Sequence, residues 1–278
     1  MKFDLRETAR DHIIVTAHRG TPGGNIPCNT IPAYEAALLQ GADMLEIDVT
    51  MSGEGTLYIF HPGMEPHHLN CKKMIPQMTD AEVRELRYHN FDTVPTQFGL
   101  HTLDDLLEHF KGRCYINVDK FIDHPVEIYQ TLKRHNILDQ ILVKSAPTPT
   151  VFRMLEELAP ELPYIPIVCF KHECHEELLR RNINYLGVEV IFYSEEDEVA
   201  RPEFLARMHR ENTLVWANAI IYNYKEQLSA GHSDDTAIGG NPEFGWGWHA
   251  RHGFDFMQTD WPGMAIQYLK QNGIYYKK

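Results

Sequence analysis

Two histidines stand at the ends of short apolar runs in the first quarter of the chain. His18 ends the run that begins at His12, and His61 ends the run that begins at Thr56. A histidine side chain exchanges a proton near neutral pH. Two of them at one reacting centre suit general acid–base hydrolysis, in which one takes a proton from the attacking oxygen and the other protonates the leaving group.

An acidic pair lies between these histidines, near the end of another apolar run. Because side chains alternate along a strand, Glu46 and Asp48 fall on one face and Ile47 on the other. Carboxylates so close together repel each other unless a cation pairs with them. Asp119, near the end of the run 113–120, is a candidate third ligand. Oxygen ligands of this kind predict Mg²⁺ or Ca²⁺, although a zinc site that uses both histidines is the competing chemistry.

Positive charges follow the same runs. Arg19 offers a planar fork suited to phosphate oxygens. Lys120 can pair with a phosphate oxygen or with the adjacent Asp119, and the second choice would be a surface ion pair of little consequence. Lys144 and Glu189 are isolated charges inside apolar runs, with no partner that the sequence identifies.

The elements that position these residues alternate between strand and helix. The strand–helix alternation predicts a parallel sheet. About eight repeats predict a closed TIM (β/α)8 barrel with an insertion after the second strand, and an open doubly wound sheet is the alternative. The predicted strands are 12–18, 42–51, 56–61, 113–120, 140–145, 164–170, 184–192, 213–219 and 254–260, and the main predicted helices are 29–41, 102–110, 124–135, 149–158, 172–181, 202–210 and 262–272.

Two stretches break the alternation. Residues 62–100 are rich in His and Pro, and residues 220–252 contain Trp246 and Trp248. Long loops in compact domains tend to be functional or disordered. The two tryptophans favour order in the second stretch, as either a functional loop or an aromatic plug over the barrel.

Composition limits the class of protein. The chain has 278 residues and a net charge of −13, which disfavours a nucleic-acid partner. Its five cysteines form no CxxC pair, so we expect no disulfide framework. The N-terminus has no apolar signal core, and no run approaches the length of a membrane span. We therefore expect a cytoplasmic protein, unless a signal peptide precedes the sequence. Composition predicts no oligomeric state.

The ordered set of motifs resembles the glycerophosphodiester phosphodiesterase family. Each motif alone is weak, whereas their order along the chain is specific. They touch both ends of the chain and favour a single domain over residues 1–278. The motifs are His18-Arg19-Gly20, Asn29-Thr30, Ala33-Tyr34-Glu35-Ala36-Ala37, Gly41-Ala42-Asp43, Glu46-Ile47-Asp48, His61, Met78-Thr79-Asp80-Ala81-Glu82-Val83, His101-Thr102-Leu103-Asp104-Asp105-Leu106-Leu107, Val215-Trp216, Gly253-Phe254-Asp255 and Thr259-Asp260-Trp261-Pro262.

The resemblance implies a TIM-barrel enzyme that hydrolyses glycerophosphodiesters to an alcohol and glycerol phosphate. His18 and His61 are then the acid–base pair. Glu46 and Asp48, with a third acidic residue, hold Mg²⁺ or Ca²⁺. The expected substrate contacts are Arg19, Lys120 and Trp216.

Three positions depart from the family pattern. Cys28 stands where the family has Glu, and Pro62 stands where an Asp usually follows the second histidine. The third strand carries Asn117-Val118-Asp119-Lys120 in place of Glu-x-Lys, so the third ligand is Asp119, Asn117 or a water. Both histidines and the Glu-x-Asp pair remain, so we expect activity with an altered substrate range.

Three other functions fit the same residues. A lyase or phospholipase-D-like enzyme would use the histidine pair to form a cyclic phosphate. A non-catalytic ligand-binding barrel would keep the site by descent. A metal-dependent sugar enzyme is compatible with the fold, since fold does not fix function.

Overall fold

The computed structural model describes residues 3–223 and 225–277. Nine strands are present in these residues, and eight of them close into a parallel barrel because the first strand pairs with both the second and the last. They are β1 Ile14–His18, β2 Met44–Met51, β3 Leu57–Ile59, β4 Tyr115–Asp119, β5 Ile141–Ser145, β6 Tyr164–Cys169, β7 Gly187–Ile191, β8 Leu214–Asn218 and β9 Phe256–Thr259. The predicted TIM barrel is confirmed.

Helices surround the barrel wall, and none in the described residues has both the length and the apolar character to cross a membrane. Most predicted helices are found, but the helix expected over 172–181 covers only His175–Leu178. The α-helices are α1 Leu5–Asp11, α2 Ile31–Leu39, α3 Glu65–His68, α4 Asp80–Glu85, α5 Leu103–Phe110, α6 Pro125–His135, α7 Pro149–Leu158, α8 His175–Leu178, α9 Pro202–Arg210, α10 Asp234–Ile238, α11 Trp248–His252 and α12 Pro262–Gln271.

Side chains alternate between the two faces of each barrel strand, as strand geometry requires. On β2, Leu45, Ile47 and Val49 pack into the outer core beneath the helices, whereas Met44 joins a cluster inside the barrel. Trp216 and Phe256 belong to the same inner cluster. The inner face becomes polar toward the carboxyl ends of the strands, which places the charged residues at one mouth.

Helix α1 covers the opposite end of the barrel. No helix was predicted for these residues. Asp4 caps the helix by accepting a hydrogen bond from the backbone of Glu7, and Leu5 and Ala9 pack against the inner cluster. Helix α1 therefore covers the end of the barrel opposite the polar mouth.

Strand β3 lies outside the barrel wall. It pairs antiparallel with the last three residues of β2, Val49 to Met51, which extend past Asp119 at the end of β4. Because β2 is long, the chain that returns along β3 reaches the mouth again at His61. The predicted strand over 56–61 therefore ends at the mouth, although it is not a barrel strand.

Candidate active site

The three predicted metal ligands lie together at the mouth. Glu46, Asp48 and Asp119 each offer one carboxylate oxygen within 4.8 Å of the others. The pairing of β2 with β4 sets Asp48 beside Asp119. Burial, and then the charge of Asp48, raise the pKa of Glu46. One oxygen of Asp48, Oδ1, is buried and has no hydrogen-bond partner in the part of the chain that the structure describes.

The donor set fits a hard divalent cation. All three side chains offer oxygen, which Mg²⁺ and Ca²⁺ prefer over nitrogen and sulfur. The raised pKa of Glu46 and the unpartnered oxygen of Asp48 both indicate negative charge that the protein leaves unbalanced. Asn117 Oδ1, two residues before Asp119 on the same strand face, is also buried and has no hydrogen-bond partner among the described residues. These residues could therefore hold a metal.

The loop after β1 fixes the carboxylates from one side. The backbone nitrogen of Arg19 donates to Glu46 Oε2 at 2.9 Å, and its Nε lies 2.9 Å from Asp48 Oδ2. Asn29 donates from Nδ2 to the same oxygen of Asp48 at 2.9 Å, while Tyr34 donates to Asn29 Oδ1. Arg19 also lines the cavity.

Gly20 allows this loop to pass close to α2. Its φ of +81° is a left-handed conformation, and a Cβ built there would lie 2.7 Å from the carbonyl carbon of Ala33. Glycine meets both demands because it has no Cβ. The glycine of the His-Arg-Gly motif therefore places Arg19 directly over the acidic pair.

Asp260 holds His18, a partnership that the sequence analysis missed. His18 Nδ1 lies 2.8 Å from Asp260 Oδ1. Since a carboxylate only accepts, Nδ1 carries the proton of this bond and Nε2 takes no part in it. Burial opposes the charge on His18, but the Asp260 hydrogen bond and the nearby Glu46 carboxylate outweigh it and raise the pKa of His18.

His61 is held by a backbone carbonyl instead of a carboxylate. Its Nδ1 lies 2.9 Å from the carbonyl oxygen of Pro62. Because a carbonyl also only accepts, Nδ1 donates and Nε2 of the neutral ring is free to accept a proton. Burial, which Asp48 only partly offsets, lowers the pKa of His61. Pro62 therefore orients the ring without adding the negative charge that an Asp would supply.

Asp234, in the irregular stretch 220–252, holds the backbone of Asp260. Asp234 accepts hydrogen bonds from the Asp260 backbone at 2.8 Å and from Trp246 Nε1 and Thr259 Oγ1 at 2.6 Å each. Burial raises the pKa of Asp234 to about 6. Trp246 and Trp248 pack against the barrel, as in the predicted aromatic plug, while Ile220, Tyr222 and Leu228 of the same stretch line the cavity.

Cys28 supplies no negative charge in place of the glutamate that the family has at this position. Burial raises the pKa of its thiol to about 12, so the side chain is neutral at physiological pH. Its Sγ lies 3.9 Å from His68 Nδ1. The negative charge near Arg19 therefore comes from Asp48, Glu46 and Asp260.

The remaining predicted contacts differ in position. Lys120 lines the cavity and bonds Asp119 Oδ2 at 2.8 Å. Trp216 is fully buried inside the barrel, stacked on Phe256. Its ring lies beneath the Lys144 ammonium, which lines the cavity, so a direct contact between Trp216 and a substrate stays a prediction.

A single cavity of about 200 Å³ collects these groups. Its lining combines the histidines, carboxylates and cations with four aliphatic side chains, Ile167, Ile191, Ile220 and Leu228. Most of the charged lining residues were predicted from the sequence. No partners were predicted for Lys144 and Glu189, which pair with each other. The lining residues are His18, Arg19, Glu46, His61, Asp119, Lys120, Lys144, Ile167, Glu189, Ile191, Asn218, Ile220, Tyr222, Leu228 and Gln258.

Curated proteins similar in sequence carry the name that the motifs suggested. A glycerophosphodiester phosphodiesterase of Bacillus subtilis (strain 168) is 25% identical over 178 residues, 57% of this chain and 60% of that protein. One of Bacillus altitudinis is 28% identical over 140 residues, 47% of this chain and 57% of that protein. The matches thus span less than two thirds of these relatives. A family model described as a domain of unknown function matches residues 164–269.

Solved structures of similarly named proteins share the whole fold. A glycerophosphoryl diester phosphodiesterase of Parabacteroides distasonis superimposes with a TM-score of 0.77 at 14% identity, over 96% of this chain and 91% of that one. An Oleispira antarctica phosphodiesterase in complex with sn-glycerol-3-phosphate gives 0.69 at 19% identity, over 93% and 97%. The structures establish the TIM-barrel fold, and with the sequence matches they confirm the resemblance to the glycerophosphodiester phosphodiesterase family.

Proposed function

We propose that this chain is a divalent-metal-dependent phosphodiesterase that hydrolyses glycerophosphodiesters to an alcohol and glycerol phosphate. One observation carries the proposal. Two histidines, one held by a carboxylate and the other by a carbonyl, line the same cavity as the acidic cluster. The names of the sequence relatives and the product bound by the Oleispira antarctica phosphodiesterase support the substrate class.

His61 is the general base in this proposal. Its Nδ1 donates to Pro62, so Nε2 accepts the proton of the attacking water. The lowered pKa of His61 keeps the ring neutral at physiological pH. A base must be unprotonated at the start of the reaction, which is the state that this environment favours.

His18 is the general acid. Asp260 accepts from Nδ1, so a protonated ring presents Nε2–H to the leaving alkoxide. The raised pKa of His18 favours that protonated state. The two environments push the pKa values of the rings apart, which is the arrangement that separates an acid from a base at one pH.

Glu46, Asp48 and Asp119 would hold Mg²⁺ or Ca²⁺. Such an ion, when bound, stabilises the negative charge that builds on the phosphoryl oxygens. Arg19 and Lys120 line the same cavity and offer hydrogen bonds to those oxygens. Neither cation is free without substrate, since Arg19 lies against Asp48 and Lys120 against Asp119.

We also propose one domain over 1–278, in the cytoplasm, with a small-molecule substrate and a role in lipid and glycerol metabolism. The direct pairing of β1 with β9 supports a single domain, because both ends of the chain build one barrel. Five free cysteines support a reducing compartment.

The test is an assay of glycerol phosphate release from a panel of glycerophosphodiesters, with Mg²⁺, Ca²⁺ or EDTA. We expect release with at least one of the two ions and none after EDTA treatment. His18→Ala and His61→Ala should each reduce the rate by about 100-fold or more. Wild-type turnover in both variants, or in EDTA, would show that the mechanism is wrong.

A further inference from the structure

An ion pair crosses the upper interior of the barrel. Lys144 on β5 and Glu189 on β7 approach across the intervening strand β6, with Nζ 2.8 Å from Oε2. Each residue is only 5% exposed. Burial opposes the charge on Lys144, but Glu189 and Asp119 outweigh it and raise its pKa, so the ammonium is charged.

Three further side chains fix this pair. The Lys144 ammonium lies 4.2 Å from the centroid of the Trp216 ring and donates to Gln258 Oε1 at 3.1 Å. Asn218 donates to the other oxygen of Glu189 at 2.8 Å and accepts from Trp216 Nε1 at 3.2 Å. A lysine normally keeps a flexible stem, whereas here Glu189, Gln258 and Trp216 all contact the ammonium.

Stability alone does not account for the pair. A buried ion pair is often no more stabilising than apolar residues of the same volume, because both charges lose their hydration. The apolar cluster directly beneath, which includes Trp216 and Phe256, shows that this barrel packs well without charges. Lys144 and Glu189 differ from that layer in one respect, since both line the cavity that contains His18 and His61.

The charge balance of the site calls for a cation at this position. Four carboxylates and three cations surround the cavity, apart from the His18–Asp260 pair. A divalent cation would turn this excess of one negative charge into one positive charge, which matches the single negative charge of a phosphodiester. Without Lys144 the site with a bound divalent cation would be neutral, and the phosphodiester would add an unbalanced negative charge. The groups are Glu46, Asp48, Asp119, Glu189, Arg19, Lys120 and Lys144.

We propose that Lys144 is a substrate-binding residue whose ammonium contacts a non-bridging oxygen of the phosphodiester. Glu189 and Trp216 are the positioning residues that hold it. The inference rests on the proposed function for the identity of the ligand. Lys144 stands on β5, next to β4, which ends at Asp119 and is followed by Lys120, so the two lysines line the cavity from neighbouring strands and Arg19 lines it from the loop after β1.

The direct test is the binding of glycerol phosphate, measured by calorimetry in the presence of Ca²⁺. Lys144→Met should weaken binding about 10- to 100-fold, because a hydrogen bond to a charged group is lost, and Lys144→Arg should restore part of it. Lys277→Met is the matched control. It removes a lysine that pairs with buried Asp255, before β9 at the end of the barrel that α1 covers, and should leave binding unchanged.

A double variant separates substrate binding from a structural ion pair. Lys144→Met with Glu189→Leu replaces both charges by apolar groups, so it should melt close to the wild type and still bind glycerol phosphate weakly. Wild-type affinity in the double variant, or in Lys144→Met alone, would overturn the inference. If the wild type binds glycerol phosphate but hydrolyses no diester, the proposed function fails while the binding comparison still tests Lys144.

Discussion

Replacement of Asp260 by Asn removes the carboxylate that holds His18 and leaves the size of the side chain unchanged. The Oδ1–Nδ1 distance is 2.8 Å, and a hydrogen bond of this type to a charged group contributes about 1.5–3 kcal/mol. Because the Asp260 side chain is 45% exposed, we take the lower end, about 1.5 kcal/mol. That energy corresponds to about one pH unit in the pKa of His18 and about a tenfold loss of rate.

The sign of the effect appears in a pH profile of kcat/KM for glycerol phosphate release. A general acid must be protonated, so the rate falls as pH rises through the pKa of His18. Asp260→Asn lowers that pKa, and the alkaline limb should move to lower pH by about one unit. The acidic limb, which belongs to His61, should stay in place. Asp235→Asn, at an exposed carboxylate on α10, is the matched control. An unmoved alkaline limb at full rate would refute the assignment of His18 as the acid.

Three further outcomes follow from the same contacts. Gly20→Ala should destabilise the protein by about 1–3 kcal/mol in urea unfolding, since its Cβ would lie 2.7 Å from a backbone atom of Ala33; unchanged stability would contradict the close approach. Ca²⁺ at about 100 times its Kd should stabilise the fold by about 2.7 kcal/mol in the same assay, and Asp119→Asn should reduce this gain if Asp119 is a ligand. Trp246→Phe should cost about 1–3 kcal/mol, because it removes a donor from buried Asp234, and a neutral result would show that this hydrogen bond contributes nothing.

The alternation of side chains along the strands predicted which acidic residues lie together at the mouth. Glu46, Asp48 and Asp119 alternate with apolar residues, and the parallel register of β2 and β4 then brings them together. His61 was predicted at the same mouth as His18, and the structure places it there. Its own strand does not explain this position, which depends on how far β2 extends beyond the barrel. The predicted strand over 42–51 ends at Met51 as β2 does, but the apolar pattern did not show that its last three residues pair antiparallel with β3.

Contacts across the barrel escaped the sequence analysis for a physical reason. Lys144 and Glu189 lie on strands that are not neighbours, so their meeting depends on the tilt and stagger of the closed barrel rather than on any local pattern. The contact between Asp260 and His18 could have been predicted, since closure of the barrel brings the end of the last strand beside the end of the first, where His18 lies. Helix α1 was missed because its short, charged sequence buries only Leu5 and Ala9.

The most direct test of the central claim is phosphorus NMR of a glycerophosphodiester digested by the wild-type protein with Ca²⁺ or Mg²⁺ in ¹⁸O-labelled water. Attack by water on phosphorus, with His61 as base and His18 as acid, predicts glycerol phosphate whose signal carries the isotope shift of one ¹⁸O. A cyclic phosphate would assign the same residues to a lyase. An unchanged diester after full conversion by a related phosphodiesterase in a parallel tube would contradict the proposed function.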